Sequence, residues 1–274
     1  MYFGDWDAVG GGSAYNVIRK VTVSTGIIST IAGVASTSGG YNGDNIQATA
    51  ALLYSPIDVV VDSSGNLFIT DFYNYRVRKV EVSTGVITTI VGTGSASSTG
   101  DGSAATSATL NSPCYSRFDS SGNYYVSECG GHRVRKVVTV STDIPTSYPS
   151  LSPHSISVIS TIAGTGTASY SGDNGDNGQA TSATMNTPTG IAVDSSGNVY
   201  FNEWGNHRVR KITASTGIIT TYAGTGSSSY GGDGGVASSA VLYNPDGLCM
   251  DSSGNTQHPI YNTPFTFLLM LITS

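Results

Sequence analysis

Residues 206–212 read "NHRVRKI". The same basic strand returns as "YRVRKV" at 75–80, "GHRVRKV" at 131–137 and "NVIRKV" at 16–21. A single catalytic site has no use for four copies of one strand, whereas a fold assembled from copies does. The copies extend further: "DSSGN" occurs at 62–66, 119–123, 194–198 and 251–255, with starts 57, 75 and 57 residues apart. A period of this order signals a propeller or solenoid. The long step holds extra residues that fall at 142–158, "TDIPTSYPSLSPHSISV".

One unit spans 188–226. "GIAVD" and "NVYFNE" are strands joined by "SSG", with Gly197 free to take positive φ. "WGN" turns the chain into "HRVRKITA", and "STG" turns it into "IITTYAG". The β-branched and aromatic residues predict a four-stranded antiparallel meander. A long Gly- and Ser-rich loop follows each unit. Such a meander buries both faces only by stacking on its neighbours, which accounts for runs such as "VVV" at 59–61.

Composition agrees. Charged residues make up 11% of the 274, against roughly 25% in an ordinary globular chain. Gly is abundant (35), and no helical apolar period is sustained. The net charge of −6 gives no bulk attraction to nucleic acid or anionic lipid. The longest apolar stretch, 265–272, is far shorter than the roughly 18 residues of a membrane span. There is no N-x-[ST] sequon and no visible signal peptide. Three cysteines, Cys114, Cys129 and Cys249, are not a disulfide framework. If Asp119 pairs with Asn123, Cys114 faces Glu128 and the thiols of Cys114 and Cys129 point to opposite faces; a one-residue shift would bring them together. Free, partly buried thiols are expected, and an extracellular place is preferred to a cytoplasmic one.

The "NHRVRK" strand, the "DSSGN" turn and the "TGIITTYAGTG" exit resemble the NHL-repeat family of β-propellers over nearly the whole chain, to about residue 255. The resemblance implies an all-β propeller of four-stranded antiparallel blades. The units read as a partial blade at 1–33, blades at about 56–94, 113–166 and 188–226, a final strand at 246–251, the insertion at 142–158 and a tail at 256–274 that matches no repeat. Two arrangements of about four blades follow: a closed ring, with the C-terminal strand completing the N-terminal sheet, or an arc of a larger propeller. The arc is preferred, because propellers of this family more usually have six blades and six units of this size need roughly 340 residues.

Eleven of the twelve Lys and Arg lie in the repeated third strand, and Arg117 is the exception. As a basic stripe they would meet RNA phosphates. The preferred reading is structural: each acid before the turn pairs with the Arg after it, giving Asp71 with Arg76, Glu128 with Arg133 and Glu203 with Arg208. The Asp-Gly loops offer Asp173, Asp176 and Asn177 as a weak Ca²⁺ candidate, although the spacing is not that of an EF-hand. The insertion, unique to one unit, offers Tyr148 and His154 as candidate ligand contacts. No catalytic, zinc or cofactor motif is present, and the inner strands contain no His. The expected function is a non-catalytic module that recognises a protein, a glycan or another ligand through its loop faces, without a cofactor. The alternatives are a lyase or hydrolase with a metal-dependent axial site, and RNA binding through the basic strands.

Overall fold

The structure, a computed structural model, describes residues 1–5, 15–142, 154–169, 175–251, 256–261 and 267–272. Every named element is a β-strand or a three-residue 3₁₀ turn. The first sheet contains β1 (Tyr2–Asp5), β2 (Val17–Thr22) and β3 (Ile27–Ala32), and a short β4 (Ile46–Gln47) follows. The second blade is β5 (Pro56–Val61), β6 (Leu67–Asp71), β7 (Arg76–Val80) and β8 (Val86–Val91), with β4 added on the outer edge of β8. The third is β9 (Pro113–Phe118), β10 (Tyr124–Glu128), β11 (Arg133–Thr142) and β12 (His154–Ala163). The fourth is β13 (Pro188–Val193), β14 (Val199–Glu203), β15 (Arg208–Ile212) and β16 (Ile219–Ala223). The last sheet is β17 (Cys249–Met250), β18 (Thr256–Tyr261) and β19 (Phe267–Ile272).

This last sheet corrects the closed-ring alternative. β17 pairs with β18 from the tail, and among the described residues β1 pairs with β2 alone. The tail supplies its own partner strands, so β17 opens a further sheet and does not complete the first.

The "DSSGN" turns close through their Asp. The Asp62 carboxylate accepts the Ser64 and Asn66 N–H groups and the Asn66 side-chain amide, and Asp119 and Asp194 repeat the pattern. Burial pushes the Asp62 and Asp119 carboxyls up, but these donors outweigh it and hold both below the ordinary carboxylate value.

Four apolar cores lie between successive sheets, one per junction. The long loops help to fill them. Ala48, Ala51 and Leu53 are buried in the first junction, Ala105, Ala108 and Leu110 in the second, and Ala180, Ala183 and Met185 in the third. Each loop also runs along the outer strand of the blade ahead: the N–H groups of Asn45, Gly102 and Asn177 donate to the carbonyls of Ile87, Ile159 and Ile219. A loop that covers an outer strand removes an exposed sheet edge. Where strand and loop meet, Gly92 has φ +95, and a Cβ there would collide with the Tyr75 carbonyl oxygen, so only glycine fits.

Cys114 and Cys129 form a disulfide, which corrects the expectation of free thiols. A register shift between Val126 and Glu128 sets Glu128 opposite Pro113 and brings the two cysteine Cα atoms to 6.0 Å. Cys249 lies outside the disulfide and is exposed.

Candidate functional site

The repeated basic strand is a lock between blade and loop. In each full blade the second Arg (Arg78, Arg135 or Arg210) has no accessible surface. Arg210 Nη1 donates to Glu203 Oε2 at 2.6 Å, and its Nη2 donates to Asp176 Oδ1 at 2.6 Å. Arg135 joins Glu128 at 3.0 Å and Asp101 at 2.7 Å, and Arg78 joins Asp71 at 3.5 Å and Asp44 at 3.0 Å. The acid before the turn therefore pairs two residues further along than the sequence reading placed it. The backbone register sets Glu203 opposite Arg208, Glu128 opposite Arg133 and Asp71 opposite Arg76. The first Arg nevertheless turns to main-chain carbonyls: Arg76 to Asn74 and Thr93, Arg133 to Ser98 and Thr165, and Arg208 to Thr225. The second Arg alone lies where both the turn acid and the loop Asp reach it.

The Asn-His pair completes the lock. Asn206 Nδ2 donates to Glu203 Oε1, and Asn74 Nδ2 to Asp71 Oδ2. His207 takes the left-handed conformation, φ 54. Its Nδ1 accepts the N–H of Asn244 at 3.1 Å, in the loop that leads into the last sheet. His132 does the same for Thr187, and Asn16 accepts the Ser55 N–H through Oδ1. These are staples from one blade to the next. Accepting at Nδ1 requires a neutral ring, and burial lowers the pKa of both histidines, with Arg208 adding to the effect at His207.

The lysines of the strand are placed over aromatic rings: Lys79 over Phe68, Lys136 over Tyr125 and Lys211 over Tyr200, at 5.9, 5.2 and 5.4 Å from the ring centres. The basic stripe is thus committed within the fold. Of the Ca²⁺ candidates, Asp176 accepts from Arg210 and Thr221, and the main-chain N–H of Asn177 donates to Ile219. Asp173 lies outside the described residues, as does Tyr148, and His154 begins β12. Among the described residues no three His, Cys, Asp or Glu side chains gather to hold a metal.

The residues that depart from the repeat meet elsewhere. A cleft of about 640 Å³ opens between the second and third blades, beside the "DSSGN" turns. Its apolar wall is Phe68, Phe118 and Tyr124, with ring centres 4.8–5.6 Å apart. Phe118 and Tyr124 are cross-strand partners; the equivalent pairs are Val61 with Leu67 and Val193 with Val199. Only the third blade has two aromatics at these positions. Burial pushes the Tyr124 hydroxyl above its ordinary value, so it stays protonated. Thr139 and Ser157 line the same cleft, on the β11–β12 hairpin, whose strands are ten residues long against five or six in the other blades. The insertion thus lengthens a wall of the cleft. Between the third and fourth blades the space is about 290 Å³.

Near the inner strands, Asp58 Oδ2 accepts from Arg117 Nη1 at 3.1 Å and from the Ser116 N–H at 2.8 Å. Tyr115 donates to Asp246 at 3.0 Å, and burial raises the Asp246 pKa against that bond. Arg117, the one basic residue outside the repeated strands, is therefore tied to the neighbouring blade.

The teneurin NHL domain model matches residues 115–231, and the NHL repeat model matches residues 53–80. No curated protein matches the chain. Among solved structures, an auxiliary nutrient binding protein from Bacteroides ovatus is similar at TM-score 0.57 and 14% identity, over 94% of this chain and 53% of that one. Its counterpart from Bacteroides thetaiotaomicron is similar at 0.55 and 17%, over 88% and 50%. A nidogen/laminin complex is similar at 0.50 and 13%, over 89% and 67%. The chain spans about half to two thirds of the length of these proteins, and at such identities the likeness is one of fold. The copied strands, turns and blade-to-blade locks, together with both family models, make the chain a member of the NHL-repeat β-propellers.

Proposed function

We propose that this propeller is a non-catalytic binding module and that its ligand, a protein or a glycan, is held in the cleft between the second and third blades. One observation carries the reading: the aromatic pair Phe118 and Tyr124 and the lengthened β11–β12 hairpin, all departures from the repeat, converge on one concavity. Features present in every copy serve the fold, and features present in one copy are available for recognition. A volume of about 640 Å³ lies within the roughly 300–1,000 Å³ of ligand sites, and an apolar wall with a few polar groups is their usual lining. The internal commitment of the basic strands favours a protein or glycan over nucleic acid. The Cys114–Cys129 disulfide supports an extracellular setting.

The test restores the residues of the repeat. Wild type and a Phe118→Val, Tyr124→Leu variant are compared on a printed glycan array and against a displayed library of linear peptides. Ligands retained by wild type should be lost from the variant while its melting temperature stays within a few degrees. Equal retention by both proteins would overturn the assignment to this cleft.

A further inference from the structure

We propose that the cleft's ligand is an extended peptide of a partner protein, added as a strand along the open edge of β11; this rests on the reading of the cleft as the binding site. β11 pairs with β10 only as far as Val137, opposite Tyr124. From Val138 to Thr142 it pairs with β12 on one side, and among the described residues no strand pairs with the other.

Two other blades show how this edge is normally closed. In the second, Asn66 Oδ1 accepts the Val82 N–H at 3.1 Å, and in the fourth, Asn198 Oδ1 accepts the Ala214 N–H at 2.9 Å. Both bonds seal the end of the third strand with the Asn of "DSSGN". The corresponding pair in the third blade is Asn123 and Thr139, and it forms no such bond. Asn123 keeps the amide bond to Asp119 that its counterparts make to Asp62 and Asp194, so the seal to the third strand is what the blade lacks. The Thr139 N–H is left facing outward, and by strand alternation Ser141 directs its main-chain groups the same way. An unpaired row of this kind is a template for another strand.

The cleft adjoins this row, since Thr139 and its cross-strand partner Ser157 line it. A strand added there would turn alternate side chains toward Phe118 and Phe68. Five edge residues span about 16 Å at roughly 3.3 Å each, so a peptide of about five residues fits, with apolar or aromatic side chains at alternate positions. Asp62 and Asp119, both held below the ordinary carboxylate value, flank the opening and favour a Lys or Arg beside that segment.

The experiment uses linear peptides selected from a displayed library on the full chain, then resynthesised with single N-methyl groups along the backbone. Affinity should fall at least tenfold for methylation at alternate residues and hold at those between. Thr139→Pro, which removes the outward N–H, should weaken binding at least tenfold, while Thr139→Val, which keeps it, should bind as wild type does. If peptides bind and depend on Phe118 but tolerate every N-methyl group, the cleft is a binding site and the added strand is refuted. If binding appears only after residues 143–153 are replaced by Asn-Gly, this chain's own segment takes the edge and the proposal fails. If nothing selected depends on Phe118 and Tyr124, the reading of the cleft itself fails. The peptide methylation series leaves the protein unchanged, so the result stands even where the proline variant is unstable.

Discussion

Replacing Arg210 by Met should be among the most costly single changes in the fourth blade. The side chain is fully buried, and Glu203, its partner at 2.6 Å, is buried as well. Burial pulls the Arg210 pKa down, and Glu203 with Asp176 outweigh it and hold it above its ordinary value. Met fills most of the volume but takes from the buried Glu203 carboxyl the cation that accompanies the Asn206 and Asn186 donors. Breaking one side of a buried pair costs about 3–5 kcal/mol. Arg208→Ala removes charge-assisted bonding at the loop, the bond to the Thr225 carbonyl included, and should cost about 1.5–3 kcal/mol. Removing both charges, with Glu203→Gln and Arg210→Met, should recover at least half of the single-mutant loss, because no uncompensated charge remains. Urea denaturation of the four proteins, fitted with a common slope, measures this. An Arg210→Met variant within about 1 kcal/mol of wild type, or one no more costly than Arg208→Ala, would refute the lock.

The histidine staples predict a pH effect. Both rings titrate below the unfolded value of about 6.5, so the unfolded chain takes up more protons as pH falls from 7, and the histidines' share of stability fades. Glu128, pushed up to about 7 by burial against the pull of Arg135, works in the opposite sense as pH falls. Comparison with a His132→Asn, His207→Asn variant cancels that contribution, and Asn already serves at position 16. The variant should gain on wild type between pH 7 and 5 and run parallel above 7; parallel curves throughout would reject the staple. Reduction of Cys114–Cys129, which closes a loop of about 15 residues, should cost about 3 kcal/mol in thermal or urea unfolding. Circular dichroism should show β-structure with no α-helical minimum, in keeping with strands and 3₁₀ turns alone; an α-helical spectrum would contradict the fold.

The meander was legible because each blade spells its own strands and turns. The "DSSGN" turns close as the Asp119–Asn123 pairing implies, since that bond is local. The partner of the acid was not legible. Glu203 and Arg208 are opposite in the ladder, but the choice of Arg210 depends on where the preceding loop delivers Asp176, 34 residues away. The disulfide was missed for a similar reason: it needs a bulge at Val126–Glu128 that no residue type announces. The loops were read as connections, although their recurring Ala and Leu or Met positions were the signal of buried plugs. For the cleft the signal was present in Phe118 and Tyr124 set against Val61 and Leu67, but its meaning depended on knowing that these residues face the blade before.

Each lock is assembled across a seam. The Asp that holds a buried Arg arrives on the loop leading into that blade, and the staple that holds the next blade leaves from the turn just before the same Arg. A duplicated stretch of chain therefore carries a half-lock at either end, and any copy fits any other without further change. Blade number in such a lineage is free to drift by whole units. Length within a unit can vary only where no lock passes, as at the tip of the β11–β12 hairpin, and new recognition surfaces have room to arise at such places.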